Sequence, residues 1–119
     1  MTPTELKRRT KLFALEVIKL VGQLPKGKTS DIIGRQLIRS GTSVGANYRA
    51  ACRARSSAEF ISKMSIVEEE ADESMYWMEL LVESGHISKI SSDPVYREAH
   101  ELLSITVSSI NTARKGRRT

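Results

Sequence analysis

Clusters of lysine and arginine are the feature of this sequence with the clearest chemical use. Cationic side chains of this kind neutralise phosphates and release counterions, which gives salt-sensitive affinity without reading a base sequence. No RNA-recognition sheet, KH loop or zinc knuckle accompanies them, and interleaved aromatic residues are missing. We therefore predict nucleic-acid contact by shape and charge rather than by base stacking. The candidates are Lys7, Arg8, Lys11, Arg35, Arg49, Arg53, Arg114, Lys115, Arg117 and Arg118.

A run of acidic residues from 68 to 73 raises a second question. On a helix, two of these carboxylates share a stripe with Ile66 and Trp77, and a carboxylate buried on an apolar stripe must be paired. Folding the chain about residues 55–57 places an arginine and two amide or hydroxyl side chains opposite them. We predict an interhelical polar ladder that sets helix register, and a binding role is the alternative. Its members are Arg39, Ser43, Asn47, Glu70 and Glu73.

Catalytic and metal-binding patterns do not emerge from the sequence. The serines and Cys52 have no histidine placed near them by helical periodicity, and no nucleophile elbow or phosphate-loop glycine motif occurs. His86 and His100 do not form the Glu-x-x-His units of a di-iron bundle. We predict a protein that is not an enzyme and that binds no metal or other cofactor.

Four amphipathic segments must position these residues. Apolar residues recur at three- and four-residue intervals in each segment, which is typical of helices that pack in a bundle. Cap signals place the four helix starts at Thr2, Ser30-Asp31, Ser56 and Asp93-Pro94. The sequence thus predicts an all-α, antiparallel, up-down-up-down four-helix bundle over residues 1–113. Residues 114–119 are predicted to form a basic C-terminal tail.

Two further patterns indicate close packing between helices or subunits. Glycines four residues apart in the second helix indicate that another backbone comes close, either another helix or another subunit. A kink or break of the helix near Gly41 is the alternative. The third helix is apolar over more than half its circumference, which exceeds what a monomeric bundle needs. The predicted subunit-interface residues are Gly41, Gly45, Tyr48, Ile66, Trp77 and Leu80.

Composition and charge limit the class of protein further. The 119 residues carry a net charge of +5, yet residues 56–84 contain eight acids and one base. Such segregation offers a positive side to a polyanion and a negative side to basic neighbours. A single cysteine fits a reducing compartment. Residues 12–21 are apolar but too short and too charged for a membrane span, so we expect a cytoplasmic protein without membrane contact.

The stretch Arg39-Ser40-Gly41-Thr42-Ser43-Val44-Gly45-Ala46-Asn47-Tyr48 is followed by Glu59-Phe60, Glu70, Glu73, Tyr76-Trp77 and Glu79-Leu80-Leu81. This arrangement resembles the bacterial four-helix-bundle proteins known as 23S rRNA intervening-sequence proteins. The resemblance implies homopentameric, barrel-like rings, and some relatives are encoded inside insertions of ribosomal RNA genes. A related member, the accessory variability determinant of diversity-generating retroelements, pairs with a reverse transcriptase and presents a basic surface.

Two functions fit these observations. The first is a non-catalytic, oligomeric scaffold that binds structured RNA or other nucleic acid through basic helix faces. The second is a protein–protein interaction scaffold without a direct role in nucleic-acid binding. The candidate partners are accordingly further copies of the chain, structured RNA, and a reverse transcriptase or another protein.

Overall fold

The computed structural model describes the backbone of residues 1–118 and the side chains of residues 1–116. Four α-helices dominate this part of the chain, and it contains no strand. The predicted all-α class is confirmed. The helices are α1 (Pro3–Gly22), α2 (Lys28–Cys52), α3 (Ser57–Glu83) and α4 (Lys89–Arg118).

The starts of α1 and α3 follow the predicted cap signals. Thr2 forms a capping box with Glu5, because the threonine hydroxyl accepts from the Glu5 N–H and the glutamate accepts from the Thr2 N–H. Ser56 likewise accepts from the Glu59 N–H at 3.1 Å. The Glu59 carboxylate, however, accepts from the N–H of Arg55 rather than from that of Ser56. Both caps satisfy N–H groups that a helix leaves unpaired at its start.

The predicted start of α2 is wrong. This helix begins at Lys28, with Gly27 as its N-cap in a backbone conformation of φ 155° that favours glycine. Ser30 does not cap the helix but is buried within its first turn. α2 then continues without interruption to Cys52, so the alternative of a break near Gly41 is also wrong.

α4 begins earlier than its Asp-Pro pair indicates. The hydroxyl of Ser88 accepts a hydrogen bond from the Ser91 N–H at 3.1 Å, which is the geometry of an N-cap. Pro94 therefore lies inside the helix. Pro94 leaves the carbonyl of Ile90 without its usual N–H partner, but both residues are exposed and water can reach that carbonyl. At its other end α4 continues through Arg118, so residues 114–118 of the predicted basic tail form the end of the helix, and residue 119 lies outside the described residues.

The helices form a bundle in which each one packs against its neighbours in the sequence, and α1 also packs against α4. The pairing of Val17 with Gly41, and of Thr10 with Gly45, shows that α1 and α2 are antiparallel. Hydrogen bonds join the other adjacent pairs, α2 to α3, α3 to α4 and α4 to α1. α1 and α3 lie diagonally across the bundle, and their described backbones do not approach each other closely. The core includes Phe13, Leu37, Met64, Met78 and Leu102.

The two glycines in the middle of α2 lie against α1 of the same chain. A Cβ atom on Gly41 would stand 2.8 Å from a methyl group of Val17, and one on Gly45 would stand 3.2 Å from the Thr10 hydroxyl oxygen. Gly41 and Tyr48 are buried within the bundle. The close backbone that the two glycines indicate is therefore that of another helix of the same bundle, and a subunit interface at Gly41, Gly45 and Tyr48 stays a prediction.

Candidate nucleic-acid interface

The antiparallel arrangement collects basic side chains at one end of the bundle. The first turns of α1, the last turns of α2 and the last turns of α4 meet there, although they are far apart in the sequence. Seven of the predicted phosphate-contacting residues lie between this end and the middle of the bundle, where Lys11 stands level with Gly45, and all seven are exposed. We call this surface the basic end; it comprises Lys7, Arg8, Lys11, Arg49, Arg53, Arg114 and Lys115.

Four of these residues form two parallel pairs along the α1–α2 groove. Lys7 and Lys11 are one helical turn apart on α1, as are Arg49 and Arg53 on α2, so each pair projects from one face of its helix. The two helices approach closely because Gly45 has no side chain to hold α1 away. The lysine and arginine pairs consequently border the same groove.

Three predicted contact residues fall outside the basic end, or outside what the structure describes. Arg35 is exposed and lies on the same side of α2 as Arg49, but fourteen residues of helix separate the two by about 21 Å. It extends the basic face along the bundle instead of joining the cluster. The side chains of Arg117 and Arg118 lie outside the described residues.

Acidic side chains near the basic end are engaged in helix caps. Glu5 accepts from the Thr2 N–H, and Glu59 accepts from the Arg55 N–H. Neither carboxylate forms an ion pair with a described cation of the basic end. The positive charge there is consequently left available to a ligand.

The predicted polar ladder between α2 and α3 forms only in part. Arg39 donates to Glu70 at 3.1 Å and also hydrogen-bonds Glu73. Ser43 and Asn47 do not reach Glu70, and that part of the prediction is wrong. Their side chains donate instead to carbonyls one turn back in α2: Ser43 to that of Arg39 at 2.6 Å, and Asn47 to that of Ser43 at 2.9 Å. Hydroxyl and amide groups in helices commonly bond the preceding turn in this way.

Burial shapes the electrostatics of the ladder. It raises the pKa of Glu70, and the positive charge of Arg39 opposes that rise. The hydrogen bond from Arg39 to Glu73 is the largest influence that raises the pKa of the arginine. Trp77 adds a third donor to this cluster, because its indole N–H lies 3.2 Å from the Glu73 carboxylate. Of these contacts, only the two bonds from Arg39 join α2 to α3, and a role of the ladder in setting helix register stays a prediction.

Three contacts between helices are absent from the sequence-based prediction, one of them the hydrogen bond from Tyr96 to Glu79. The hydroxyl oxygens of Ser40 and Ser74 lie 3.0 Å apart in the core between α2 and α3. Arg9 joins α1 to α4 through Glu98 and Glu101, each at 2.7 Å. The spacing of apolar residues within α2 and within α3 indicates that Ser40 and Ser74 face inward. No such local signal shows that Arg9 faces α4, which is known only from the packing of the helices.

Large apolar or aromatic side chains remain exposed on each of the four helices, among them Ile32 of α2 and Ile90 of α4. Leu12, Leu15 and Ile18 are between 47 and 53% exposed on the outer face of α1, and we call them the α1 stripe. On α3, Tyr76 is 53% exposed, and its ring meets that of Trp77 edge to face at 5.2 Å. Ile66, Trp77 and Leu80, which were predicted to lie in a subunit interface, are half-buried in the single chain.

The described part of the chain offers neither a metal-ligand cluster nor a membrane-spanning helix. Within residues 1–118, no group of three or more histidine, cysteine or acidic side chains is placed to hold a metal ion. Over that same range, every helix falls short of the length and apolar character needed to cross a membrane. The predictions about catalysis and cofactors stay predictions.

Sequence comparison places the bundle among known proteins. A sequence profile described as "23S rRNA-intervening sequence protein" matches residues 4–108. The chain belongs to this family. A solved structure from Bacteroides thetaiotaomicron, a protein with unknown function from the S23 ribosomal protein family, is 34% identical, with a TM-score of 0.82. That similarity covers 87% of this chain and 96% of the other. None of the curated proteins matches the sequence significantly.

The range matched by the family profile covers only part of the basic end. The matched range of this 23S rRNA-intervening sequence protein includes the lysine pair of α1 and the arginine pair of α2. Arg114 and Lys115 follow residue 108 and lie beyond it. The family membership confirms the resemblance seen in the sequence. The relation to the accessory variability determinant stays a prediction.

Proposed function

We propose that this protein binds structured RNA through its basic end, by charge and shape and without catalysing a reaction. The observation that carries the proposal is the convergence of seven exposed cations from three helices toward one end of the bundle. Paired cations beside a groove can bridge successive phosphates, and such contacts do not depend on base sequence. Family membership supports RNA as the polyanion, since the family is described by an insertion in ribosomal RNA.

The proposal is tested by titrating the protein into a labelled RNA hairpin at several salt concentrations. Each phosphate contact that is lost should reduce the slope of log affinity against log salt by about one. We expect the double substitution Arg49→Ala/Arg53→Ala to weaken binding and to reduce the slope by about two. Affinity that does not change with salt, or no binding at low salt, would contradict the proposal.

A matched control separates the basic end from net charge. The double substitution Lys28→Ala/Lys89→Ala also removes two exposed cations, but at the opposite end of the bundle. We expect this control to bind the hairpin nearly as the unmodified protein does. Equal losses in the two double variants would show that total charge, rather than the basic end, determines affinity.

A second candidate function, a scaffold that assembles with further copies of itself, is favoured by the exposed faces of α1 and α3. The α1 stripe is flanked by Lys11 and Lys19, whereas the outer face of α3 carries Glu69 and Asp72 beside its exposed aromatic ring. No described side chain forms an ion pair with any of these four residues. One face is thus apolar and basic and the other is apolar and acidic, which is the complementarity that docking faces use.

The two faces also lie at the same height along the bundle. Val17 of α1 packs beside Gly41 of α2, and the neighbouring Ser40 meets Ser74 of α3, so residues 17 and 74 are level. Because α1 and α3 lie diagonally across the bundle, their outer faces point away from each other. A second copy in the same orientation could therefore place its α1 stripe against α3 of the first. Such a head-to-tail contact forms a closed ring or an open filament, and a homopentamer is one such ring.

Mixing two variants tests this assembly. Leu15→Asp should disable the α1 face and Tyr76→Lys the α3 face, so each variant alone should be a monomer by light scattering. A mixture of the two retains one intact contact and should form a dimer that cannot grow. Ile32→Asp, at a residue 56% exposed on the outer side of α2, is the control and should assemble normally. An unmodified protein that is monomeric, or a mixture that stays monomeric, would contradict head-to-tail assembly.

A further inference from the structure

A cleft of about 710 Å³ opens at the basic end, where the start of α1 and the turn between α2 and α3 meet α4. Its volume falls in the range of roughly 300–1,000 Å³ that is typical of small-ligand sites. The lining of this cleft includes Leu6, Lys7, Tyr48, Cys52, Arg55 and Phe60.

The cleft has a mixed apolar and polar lining that includes two aromatic side chains and two cations. Tyr48 is only 6% exposed, and Phe60, which is half-buried, belongs to the same lining. Burial, and then the neighbouring Cys52 thiol, raise the pKa of Tyr48, so its hydroxyl keeps its proton and can donate or accept a hydrogen bond. Lys7 and Arg55 are exposed, and both belong to the same lining.

An unpaired nucleotide has the chemistry that matches this lining. Its base is flat, apolar on both faces and polar at its edge, and its phosphate carries a negative charge. Proteins bind unstacked bases by packing them on aromatic rings while cations hold the backbone. Bases within a duplex are stacked and paired, and they cannot enter a cleft without leaving the helix.

We propose that the cleft receives one unpaired nucleotide of a bound RNA, with its base against Phe60 and its phosphate held by Lys7 and Arg55. The Tyr48 hydroxyl is positioned to bond the edge of the base. This inference rests on the proposed function. It adds that the cleft recognises an unpaired part of the RNA, which is a bulge, loop or single-stranded end beside the structured region. Recognition then includes base stacking in addition to charge and shape.

Cys52 provides a direct measurement, since it is the single cysteine of the chain and lines the cleft. The rate of its alkylation by a small thiol reagent is followed in the full-length protein, with and without RNA. We expect a single-stranded oligonucleotide at ten times its Kd to slow alkylation about tenfold, in proportion to the free fraction. A blunt duplex of the same length should bind but leave the rate nearly unchanged. Inorganic phosphate alone should also leave the rate unchanged.

Substitution of Phe60 tests the contact with the base. Phe60→Ala should weaken single-strand affinity about tenfold, since stacking on an aromatic ring contributes that much per base. Because this ring also packs on the core, Phe60→Leu is the second variant, and it keeps apolar volume while removing the flat ring. Duplex affinity should be unchanged in both. Tyr76→Leu removes an exposed aromatic ring elsewhere on α3 and serves as the control, with unchanged affinity for both RNAs.

The results separate this inference from the proposed function. Duplex binding that depends on Arg49 and Arg53, together with unprotected Cys52 in the presence of saturating single strand, overturns the cleft proposal alone. Equal protection by duplex and by single strand, protection by phosphate alone, or unchanged single-strand affinity in Phe60→Leu overturns it as well. Failure of both RNAs to bind at low salt overturns both proposals.

Discussion

The substitution Gly41→Ala tests whether the missing side chain in α2 sets the distance between α1 and α2. The added Cβ would stand 2.8 and 2.9 Å from the two methyl groups of Val17 and 3.1 Å from its Cβ. Val17 is fully buried, and its branched side chain has one strongly preferred rotamer in a helix, so it cannot turn away. Overpacking of this kind costs about 1–3 kcal/mol, against a gain of about 1 kcal/mol in helix propensity.

Gly45→Ala is the matched control in the same helix. Its added Cβ would stand 3.2 and 3.3 Å from Thr10 side-chain atoms, so a shift of a few tenths of an ångström relieves the contact. The same propensity gain of about 1 kcal/mol then offsets most of the cost. We expect Gly41→Ala to be less stable than Gly45→Ala by about 1–2 kcal/mol.

Urea denaturation followed by far-ultraviolet circular dichroism measures this difference. All variants are compared at one protein concentration, because self-association would add to apparent stability. The double variant Gly41→Ala/Val17→Ala removes both clashing methyl groups, so it should be more stable than the sum of the single changes indicates. Equal stability of the two glycine variants, or additive effects in the double variant, would refute the view that Gly41 determines how closely α1 and α2 pack.

Three other substitutions test the polar contacts between helices. Arg9→Met removes the ion pair with Glu98 between α1 and α4 and should cost about 1–2 kcal/mol in urea denaturation, because both side chains are three-quarters buried. Ser74→Ala removes the partner of Ser40 and should cost about 1 kcal/mol by the same measurement. Burial raises the pKa of Glu70 above its ordinary 4.5, so the folded state keeps this proton to higher pH and stability falls as pH rises from 4.5 to the folded pKa. Glu70→Gln should therefore lessen that fall in stability curves measured against pH, and an unchanged curve would contradict it.

Local signals in the sequence predicted most of the helical framework. Cap residues and apolar periodicity act within one or two turns, so the starts of α1 and α3 and the all-α class follow from neighbouring residues alone. The start of α2 was missed because Gly27 caps it without a side chain. The start of α4 was missed because Ser88 lies before the more obvious Asp-Pro signal.

Local sequence patterns predicted only part of the candidate site. The sequence shows which cations lie outside the apolar stripes. It also predicted the pairing of Arg39 with Glu73, because the two residues lie at equal distances along the chain on either side of the turn between α2 and α3. It placed Ser43 and Asn47 in the ladder, although nearer carbonyls in α2 take their hydrogen bonds. Whether such a side chain bonds a carbonyl of its own helix or a carboxylate of the next helix depends on distances in the folded chain. Helical periodicity in the sequence does not give those distances.

By itself, the sequence determined the four helices, their inward stripes and the sign of charge on each segment, because these depend on residues within a few turns. Tertiary packing decided which segments meet. It turned Gly41 and Gly45 toward α1 of the same bundle, and it brought the ends of three helices together as the basic end. It also placed Tyr48 and Phe60 in one cleft among those cations, since only the folded chain sets the distance between residues on different helices.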